Sequence, residues 1–505
     1  MPSSSAHEQA AAKQIWTNTL HFSSEKCGNA PESILRHEKQ NREPMVEKIK
    51  KTSQNQAGSG ARKGALELLH QLFRHPEDAT PLPVMLLRCA SAHTLDSRDT
   101  ALLSGLVYGV LRRHAVLDAA LAGRLKKPDA LSAQVRMMLR LGTCEILFMD
   151  GISARATVSE LVSLARRRFG QGIGGLVNGV LRSVDREKDA LLQTVRHREE
   201  QLKNAALDAE GIAEAASLPK WLTRMWSEQY GAEQACRFAA DTLEHPAPCW
   251  RANMSRAWGE MLVGHWTDRG YAAVGQYGFS AWGVLRDKES RGKEQSLLES
   301  FEKQGNLSRQ GASSQLVTEY LASWILEHPE LASAPLWDAC CGRGGKTTAL
   351  LEKGIKVELA SEPAAFRLEE LKASLLRLGL SWPRLHCGPA QEIDESFPLI
   401  LLDVPCSGTG TLARNAELRL RLSPERLSEA VRTQREILDH AWTRLLPGGA
   451  LFYVTCALNR EENERQMAHF LERQGDACRL EEERMFLPVF PGQDALFLAI
   501  LRKRI

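Results

Sequence analysis

The sequence lacks any apolar run of the roughly 18 residues that a membrane-spanning helix needs. Its N-terminal segment, from Met1 through Ser5 and beyond, is polar and has no apolar core of the kind that a secretory signal carries. Both absences argue against a membrane protein or a secreted one. We therefore expect a cytoplasmic protein that has no membrane partner.

No Cys-x-x-Cys pair occurs among the 11 cysteines, which are scattered along the chain. The spacing of a zinc ribbon is absent as well, so we expect no metal site. In a reducing compartment these cysteines are free thiols, and most of them behave as small core hydrophobes. A functional cysteine must therefore be recognised by the residues around it.

A strong net charge is also absent, since the formal value is +3, which by itself predicts no partner. The charge is unevenly placed, because residues 61–200 hold 21 Lys and Arg against 15 Asp and Glu, a net charge of +6. Three basic clusters lie in that segment: Arg112-Arg113, Lys126-Lys127 and Arg166-Arg167-Arg168. Charge alone favours solvated helix faces over a surface that contacts phosphates.

Four segments of different character divide the 505 residues. Residues 1–60 are polar with little apolar periodicity, which predicts a mostly disordered tail. Residues 61–197 carry apolar residues at helical spacing and predict an all-helical bundle, with Asp99 and Ser132 as helix caps. Residues 198–305 open with a helical stretch and continue as short apolar runs separated by glycines, which predicts a small α+β linking domain.

Residues 306–505 alternate short apolar runs with helical segments. This order predicts an α/β domain built on a doubly wound, mostly parallel sheet. Three chemically loaded segments follow predicted strands, at Asp338, Asp403 and Cys456. Because ligands of such sheets bind at the carboxyl ends of the strands, we place the ligand site there.

A glycine-rich turn, Asp-Ala-Cys-Cys-Gly-Arg-Gly-Gly-Lys-Thr at residues 338–347, opens a helix after the first of these strands. The turn fails the phosphate-loop pattern because Cys340 stands where that pattern needs a glycine. It also fails the dinucleotide-binding pattern, because Thr347 stands where the third glycine of that pattern belongs. The remaining ligand class is a nucleoside without a bound phosphate. Glu362, at the end of the next strand, would accept hydrogen bonds from its ribose hydroxyls. This suits S-adenosylmethionine, whose carboxylate Lys346 could meet. The alternative is a purely structural turn.

Two cysteines follow buried strands. Cys406 lies in the run Asp403-Val-Pro-Cys-Ser-Gly-Thr-Gly, and Cys456 follows Tyr453-Val-Thr. A lone cysteine at such a place is more often structural, but two of them beside an acid and glycine turns suggest chemistry. A thiolate that adds to C6 of a cytosine makes C5 nucleophilic enough to accept a methyl group. Asp403 is placed to hydrogen-bond N3 during that addition.

These segments resemble the RsmB/Sun family of ribosomal RNA cytosine-C5 methyltransferases over about residues 61–505. The runs around Cys406 and Cys456, the second followed by Glu461-Glu462-Asn463, are specific together. The resemblance implies that Cys456 attacks the base, that Cys406 assists release of the product and that Asp403 is catalytic. It implies the following cofactor-binding residues: Cys340, Cys341, Gly342, Arg343, Gly344, Gly345, Lys346, Glu362, Arg367 and Asp403.

The helical segment resembles the NusB-type RNA-binding domain that begins these proteins, at residues 106–112 and 177–182. This likeness raises the expectation that the basic face contacts RNA. The family implies a Rossmann-like methyltransferase domain, S-adenosylmethionine as cofactor and a cytosine of small-subunit (16S) ribosomal RNA as substrate. The target base must leave its stack before a thiolate can reach C6, so we expect an unpaired or flipped nucleotide. We also expect a monomer.

The chain departs from the family pattern around the cofactor. Arg343 stands in a turn that usually reads Cys-Ala-Ala-Pro-Gly-Gly-Lys, and Gly388-Pro389-Ala390 lacks the usual aspartate near the adenine. Gly311 replaces an aspartate and Ala416 a proline. Weaker cofactor binding is the resulting hypothesis.

Two other functions compete with the methyltransferase. A non-catalytic RNA-binding assembly factor on the same fold would tolerate the altered cofactor pocket, whereas the intact cysteines, Asp403 and Lys346 favour the enzyme. A phosphate-loop nucleotide hydrolase is disfavoured by Cys340.

Overall fold

The computed structural model describes residues 58–78, 80–284 and 288–505. The prediction of a disordered tail falls outside these ranges, except that the first helix already begins at Ser59. No helix in the described ranges is long and apolar enough to cross a membrane. The same ranges hold no cluster of His, Cys, Asp and Glu side chains suited to a metal ion.

A bundle of helices forms the first part of the described chain, as the periodicity predicts. Its members are α1 (Ser59–Arg74), α2 (Leu82–Ala92), α3 (Ser97–Ala122), α4 (Ala133–Phe148), α5 (Ala154–Phe169), α6 (Gln171–Arg186) and α7 (Lys188–Lys203). One apolar core joins α1 through α6, with Leu69, Val107 and Leu141 fully buried in it. Helical stability in such a bundle comes mainly from this shared apolar face.

Two predicted helix caps have different outcomes. The Ser132 hydroxyl accepts a hydrogen bond from the amide of Val135 at 3.3 Å and caps α4, as predicted. The prediction for Asp99 is wrong, because the Asp96 carboxylate is the cap of α3 and accepts from the Asp99 amide at 2.7 Å. Both aspartates suit a cap, and only the place where the backbone turns from extended to helical distinguishes them.

A small antiparallel sheet follows the helices α8 (Ala209–Ala216) and α9 (Lys220–Leu243). It has the strand order β2-β3-β1-β4 and an aromatic core around Trp250, Trp266 and Phe279. Its elements are β1 (Cys249–Ala252), α10 (Gly259–Thr267), β2 (Ala272–Val274), β3 (Gly278–Ser280), α11 (Lys288–Lys303) and β4 (Leu307–Arg309). This mixed composition agrees with the predicted α+β region.

A seven-stranded sheet of order β10-β11-β9-β8-β5-β6-β7 forms the last part. Strands β5 to β9 are parallel, and β10 and β11 are antiparallel at one side, so the predicted doubly wound sheet is confirmed. The strands are β5 (Leu336–Asp338), β6 (Val357–Ser361), β7 (Arg384–His386), β8 (Phe397–Asp403), β9 (Leu445–Thr455), β10 (Cys478–Phe486) and β11 (Leu496–Lys503). The helices are α12 (Ala312–Leu326), α13 (Gly345–Glu352), α14 (Ala365–Leu378), α15 (Leu418–Arg421), α16 (Pro424–Arg444) and α17 (Glu464–Gln474).

Alternate residues of the central strands face two separate cores, one on each side of the sheet. Ile400 and Leu402 of β8 join a core with α16 and α17, while Leu399 and Leu401 join the core formed with α12 and α13. This division follows from the two-residue period of a strand. The chain leaves β5 in one direction to β6 and β7 and then returns to β8 on the other side, so the strand order reverses between β5 and β8. Ligands of such sheets bind at this reversal.

Candidate active site

The strand ends bring the predicted residues to one edge of the sheet. Asp338 is the last residue of β5 and Asp403 the last residue of β8, while Glu362 directly follows β6 and Cys456 directly follows β9. The parallel register places all four strand ends on the same side. The edge therefore combines acids, thiols and the glycine-rich turn.

The two cysteines face each other across adjacent strand ends. The Cys406 and Cys456 sulfurs lie 3.0 Å apart, and the Cys456 amide also donates to the Cys406 sulfur at 3.3 Å. The hydrogen bond with Cys456, together with burial and the charge on Cys456, raises the pKa of the Cys406 thiol. These causes together keep the Cys406 thiol protonated.

A lysine–aspartate pair lies beside the cysteines. The Lys346 ammonium donates to Asp403 Oδ2 at 2.6 Å, and the lysine side chain is only 11% exposed. Burial acts to lower the pKa of Lys346, but the charge of Asp403 and the hydrogen bond to it outweigh burial and raise that pKa. The charge of Cys456 acts in the same direction. Lys346 thus stays charged, close enough to stabilise a thiolate.

The glycine-rich turn leads directly into α13. Gly344 adopts a left-handed backbone (φ 80°), and a Cβ there would lie 2.2 Å from Leu371 Cδ1, so this position requires glycine. Burial raises the pKa of both Cys340 and Cys341, which keeps these two thiols protonated. Arg343 turns outward, more than half exposed, and pairs with Glu370 on α14 at 3.0 Å. Its charge is thus directed to α14.

Glu362 is buried and hydrogen-bonded where a ribose acceptor is expected. Its carboxylate is 5% exposed and accepts from the Ala364 amide at 3.0 Å and from Arg367 at 3.2 Å, both at Oε1. Arg367 is half-exposed on the first turn of α14. The structure therefore brings Glu362 and Arg367 together as one unit beside the glycine-rich turn.

An acidic side chain lies close in space to Gly388, the start of the stretch that lacks the family's aspartate. Glu392 pairs with His386, with 3.0 Å between its Oε2 and the ring Nε2. The same oxygen lies 2.2 Å from the position that a Cβ of Gly388 would occupy. Glu392 was not predicted, because it lies beyond the stretch that matches the family motif.

Asp338 has a buried oxygen that lacks a partner. The Thr347 hydroxyl donates to its Oδ2 at 2.6 Å, whereas Oδ1 is buried with no hydrogen-bond partner among the described residues. Burial, together with the charge of Asp403, raises the pKa of Asp338 to about 7. A carboxylate in this state is costly unless a cation or donor reaches it.

Replacing Asp338 should therefore change how stability depends on pH. A raised folded pKa means that the folded state binds the proton more tightly than the unfolded state, so the stability contribution of Asp338 is lost as the pH rises from about 4 to about 7. Asp338→Asn should lack this loss, which amounts to ~1.4 kcal/mol per pKa unit. Thermal denaturation of both proteins at pH 5 and pH 8, without cofactor, measures it; an equal pH dependence for both proteins would contradict the assignment.

A buried polar network supports the loop that carries Cys406. The Glu462 carboxylate accepts from the Ser407 amide at 2.7 Å and from the Gln434 side chain at 2.8 Å. Asn463 accepts from the hydroxyl of Thr455, the residue before Cys456, at 2.6 Å. The sequence reasoning missed Gln434; the available signal was a glutamine on the buried stripe of the amphipathic helix α16.

Asp494 is a second acid that the sequence reasoning missed. It lies between β10 and β11, is 6% exposed and pairs with Arg414 at 2.6 Å. Burial raises the pKa of its carboxyl group, with Arg414 and Lys346 acting in the opposite direction. Asp494 therefore belongs to the electrostatic surroundings of the site, although its position just before a strand gave no motif signal.

The predicted basic clusters divide into buried and exposed ones. Arg112 is 3% exposed and donates to a backbone carbonyl, so the inclusion of Arg112 in a phosphate-contacting surface is wrong. Lys126, Lys127 and the three arginines of residues 166–168 are exposed. Only these exposed clusters stay available to a phosphate backbone.

Two family models match the chain. The first, 16S rRNA methyltransferase RsmB/F, matches residues 326–501, and the second, the NusB family, matches residues 59–186. The first match spans all seven strands of the large sheet, and the second spans the helical bundle α1 to α6.

Curated relatives match over most of their length. Ribosomal RNA small subunit methyltransferase B of Shewanella oneidensis is 31% identical over 396 residues, 76% of this chain and 84% of the relative. The protein of that name from Vibrio cholerae is 29% identical, covering 82% of this chain and 92% of its own. The probable counterpart from Bacillus subtilis is 28% identical, covering 86% and 98%.

The crystal structure of PH0851 is similar in fold. It superposes with a TM-score of 0.61 at 21% identity, covering 87% of this chain and 98% of that one. At this identity the likeness concerns the fold alone.

Proposed function

Because this chain belongs to the RsmB/F family of 16S rRNA methyltransferases, we propose that it methylates C5 of a cytosine in small-subunit ribosomal RNA through a covalent bond between Cys456 and C6 of the base. The observation that carries the proposal is the 3.0 Å approach of the Cys406 and Cys456 sulfurs beside a charged lysine. A single nucleophile would not need a second thiol at this distance. The predicted monomer, the cytoplasmic location and RNA binding by the basic clusters belong to the same proposal.

The residues present fit S-adenosylmethionine, which supplies an electrophilic methyl group when bound. The buried Asp338 Oδ1, which no described residue pairs, suits the ammonium group of the methionine part. Glu362 suits the two ribose hydroxyls, and the turn from Cys340 to Gly345 presents backbone amides at the start of α13. Lys346 is engaged by Asp403, so it serves the base better than the methionine carboxylate that the sequence suggested. Weaker cofactor binding stays a prediction, which isothermal titration measures.

The protein's own groups account for the first step. The Cys456 thiolate forms a bond to C6, the π pair of the C5–C6 double bond shifts to join C4 and C5, and the π pair between N3 and C4 moves onto N3, which takes a proton. Asp403 is hydrogen-bonded to an ammonium, so the Lys346–Asp403 pair together holds the proton that N3 needs. C5 is then nucleophilic and would accept a methyl group from the cofactor's sulfonium as the carbon–sulfur bond breaks, and N3 would return its proton to the Lys346–Asp403 pair.

Cys406 is suited to the release step because the pKa of its thiol changes when Cys456 becomes bonded to the base. Its pKa is raised by the hydrogen bond to Cys456 and by the charge on Cys456. These two causes disappear once the Cys456 sulfur is bonded to C6, whereas burial remains, so the pKa of the Cys406 thiol falls at the stage where a base is needed. The Cys406 thiolate removes the proton from C5, the C5–C6 double bond re-forms, and the bond between C6 and Cys456 breaks.

Incubation with labelled S-adenosylmethionine and small-subunit ribosomal RNA tests the proposed function. We expect label in the RNA and one cytosine that becomes resistant to bisulfite conversion only when protein and cofactor are both present. Label without a resistant cytosine would overturn the C5 assignment. No label at all would favour the RNA-binding assembly factor.

A further inference from the structure

Two arginines are buried where the helical bundle meets the catalytic domain. Arg112 of α3 is 3% exposed and donates to the carbonyl of Ala413 at 2.7 Å, and it also contacts the His245 ring at 3.2 Å. Arg419 of α15 is 3% exposed as well and donates to the carbonyls of Leu412 at 2.7 Å and of α9 at 2.6 Å. Both guanidinium groups thus hold the backbone of one short segment, at residues 412–413.

This arrangement is electrostatically unfavourable for the arginines themselves. Neither Arg112 nor Arg419 forms an ion pair with a carboxylate in the part of the chain that the structure describes. Burial and the charge of Arg113 lower the pKa of Arg112 to about 10, and burial with the charges of Arg112 and Arg113 lowers that of Arg419 to about 9. Burying a cation without a carboxylate partner costs desolvation free energy. The hydrogen bonds from these guanidinium groups to backbone carbonyls must offset that cost.

The segment that the two arginines hold is the end of the Cys406 loop, which we define as residues 406–413. The loop is tied to the end of β9 by two hydrogen bonds: the Gly410 amide donates to the Cys456 carbonyl at 2.9 Å, and the Leu458 amide donates to the Thr409 hydroxyl at 2.7 Å. The Gly410 carbonyl accepts from the Ala495 amide at 2.9 Å. A Cβ at Gly410 would lie 2.5 Å from the Ala495 carbonyl oxygen, so the loop packs closely against the segment before β11.

We propose that Arg112 is a positioning residue through which the helical bundle holds the Cys406 loop and thereby keeps Cys406 within reach of Cys456. The proposal rests on the proposed function for its effect on turnover. Removal of Arg112 frees the loop at Ala413 while leaving Cys456, Lys346 and the cofactor turn in place. Methyl transfer in the first turnover therefore persists, and the release step slows.

Arg112→Met removes the donors and keeps the side-chain length. In single-turnover reactions with small-subunit ribosomal RNA we expect first-turnover methylation close to wild type, and steady-state turnover lower by about 10- to 100-fold, the loss that a displacement of about 1 Å causes in a reacting group. Covalent protein–RNA adduct accumulates. Arg112→Lys keeps one donor and should show a smaller loss. Arg113→Met is the matched control, because Arg113 pairs with Glu199 at 3.4 Å instead.

A second control separates positioning from general destabilisation. Arg62→Met breaks the buried pair with Glu145 in the same bundle, at 2.5 Å, without touching the Cys406 loop. It should lower the melting temperature of the protein without accumulating adduct. Arg112 has only a structural role if Arg62→Met accumulates adduct as Arg112→Met does. The same conclusion follows if Arg112→Met slows first-turnover methylation and steady-state turnover equally.

The reactivity of Cys406 toward iodoacetamide gives a readout that needs no RNA. Peptide mapping of the full chain should show Cys406 alkylated several-fold faster in Arg112→Met than in wild type or Arg113→Met. Equal rates would overturn the proposal whatever the adduct experiment gives. Cys406→Ala tests the proposed function separately: if it traps no adduct, the roles of the two cysteines fail, and the alkylation rates alone decide the role of Arg112.

Discussion

Cys456→Ala should abolish methyl transfer to RNA, whereas Cys406→Ala should still transfer one methyl group and then hold the RNA covalently. Loss of a covalent nucleophile typically costs about 10⁶-fold in turnover, because the base is then no longer activated. Cys406→Ala keeps the nucleophile but removes the group that faces it at 3.0 Å. Denaturing gel electrophoresis of reactions with labelled RNA measures the adduct, and methyl counting measures the transfer.

A third thiol provides the matched control for these variants. Cys478 is buried in β10, where burial raises its pKa to about 12, and it lies in the apolar core beneath the sheet. Cys478→Ala should therefore keep wild-type turnover and form no trapped adduct. If Cys456→Ala traps RNA and Cys406→Ala does not, the proposed roles of the two cysteines are reversed.

Asp403→Asn should lower turnover by about 10²- to 10⁴-fold, the usual contribution of a positioned acid–base group. The change leaves the buried Lys346 without its counter-charge and removes the carboxylate through which a proton reaches N3. Lys346→Met should cause a loss of similar size. Since the two side chains act as one hydrogen-bonded pair, the double variant should be no slower than the slower single variant. Single-turnover rates at saturating cofactor measure all three.

Another ion pair in the same domain serves as control for Asp403. Asp439 of α16 pairs with Arg473 of α17 at 2.5 Å and is about one-third exposed. Asp439→Asn should stay within about twofold of wild-type turnover, because exposed pairs contribute little. Losses that multiply in the Lys346–Asp403 double variant would show that the two residues act independently.

The meeting of the two cysteines follows from a rule that the sequence already contains. Each cysteine comes just after a buried strand, and parallel strands end on the same edge, so the sequence places Cys406 and Cys456 at one edge, and the pairing of β8 with β9 brings them together. The same reasoning placed Glu362. The helical bundle and the doubly wound sheet could also be predicted, because the spacing of apolar residues along the sequence distinguishes helices from strands.

The contacts of charged side chains were not accessible in this way. Arg112 meets Ala413 across 301 positions of the chain, and no local pattern marks either of them. Lys346 and Asp403 were both identified, yet their pairing depends on two turns approaching from neighbouring strands. Arg343 appeared to alter the cofactor turn, whereas it is directed away to Glu370. Sequence shows which groups are present, and tertiary packing decides which of them meet.

The position of β11 has a consequence for the order in which the site forms during synthesis of the chain. This strand comes last of the seven along the chain, yet it pairs on both sides, with β9 and with β10, and the residues just before it contact the Cys406 loop. During translation the helical bundle emerges about 300 residues earlier, an interval of roughly 15–60 s at ordinary elongation rates. The Cys406 loop therefore gains its contact with the segment before β11 only after that segment has been synthesised.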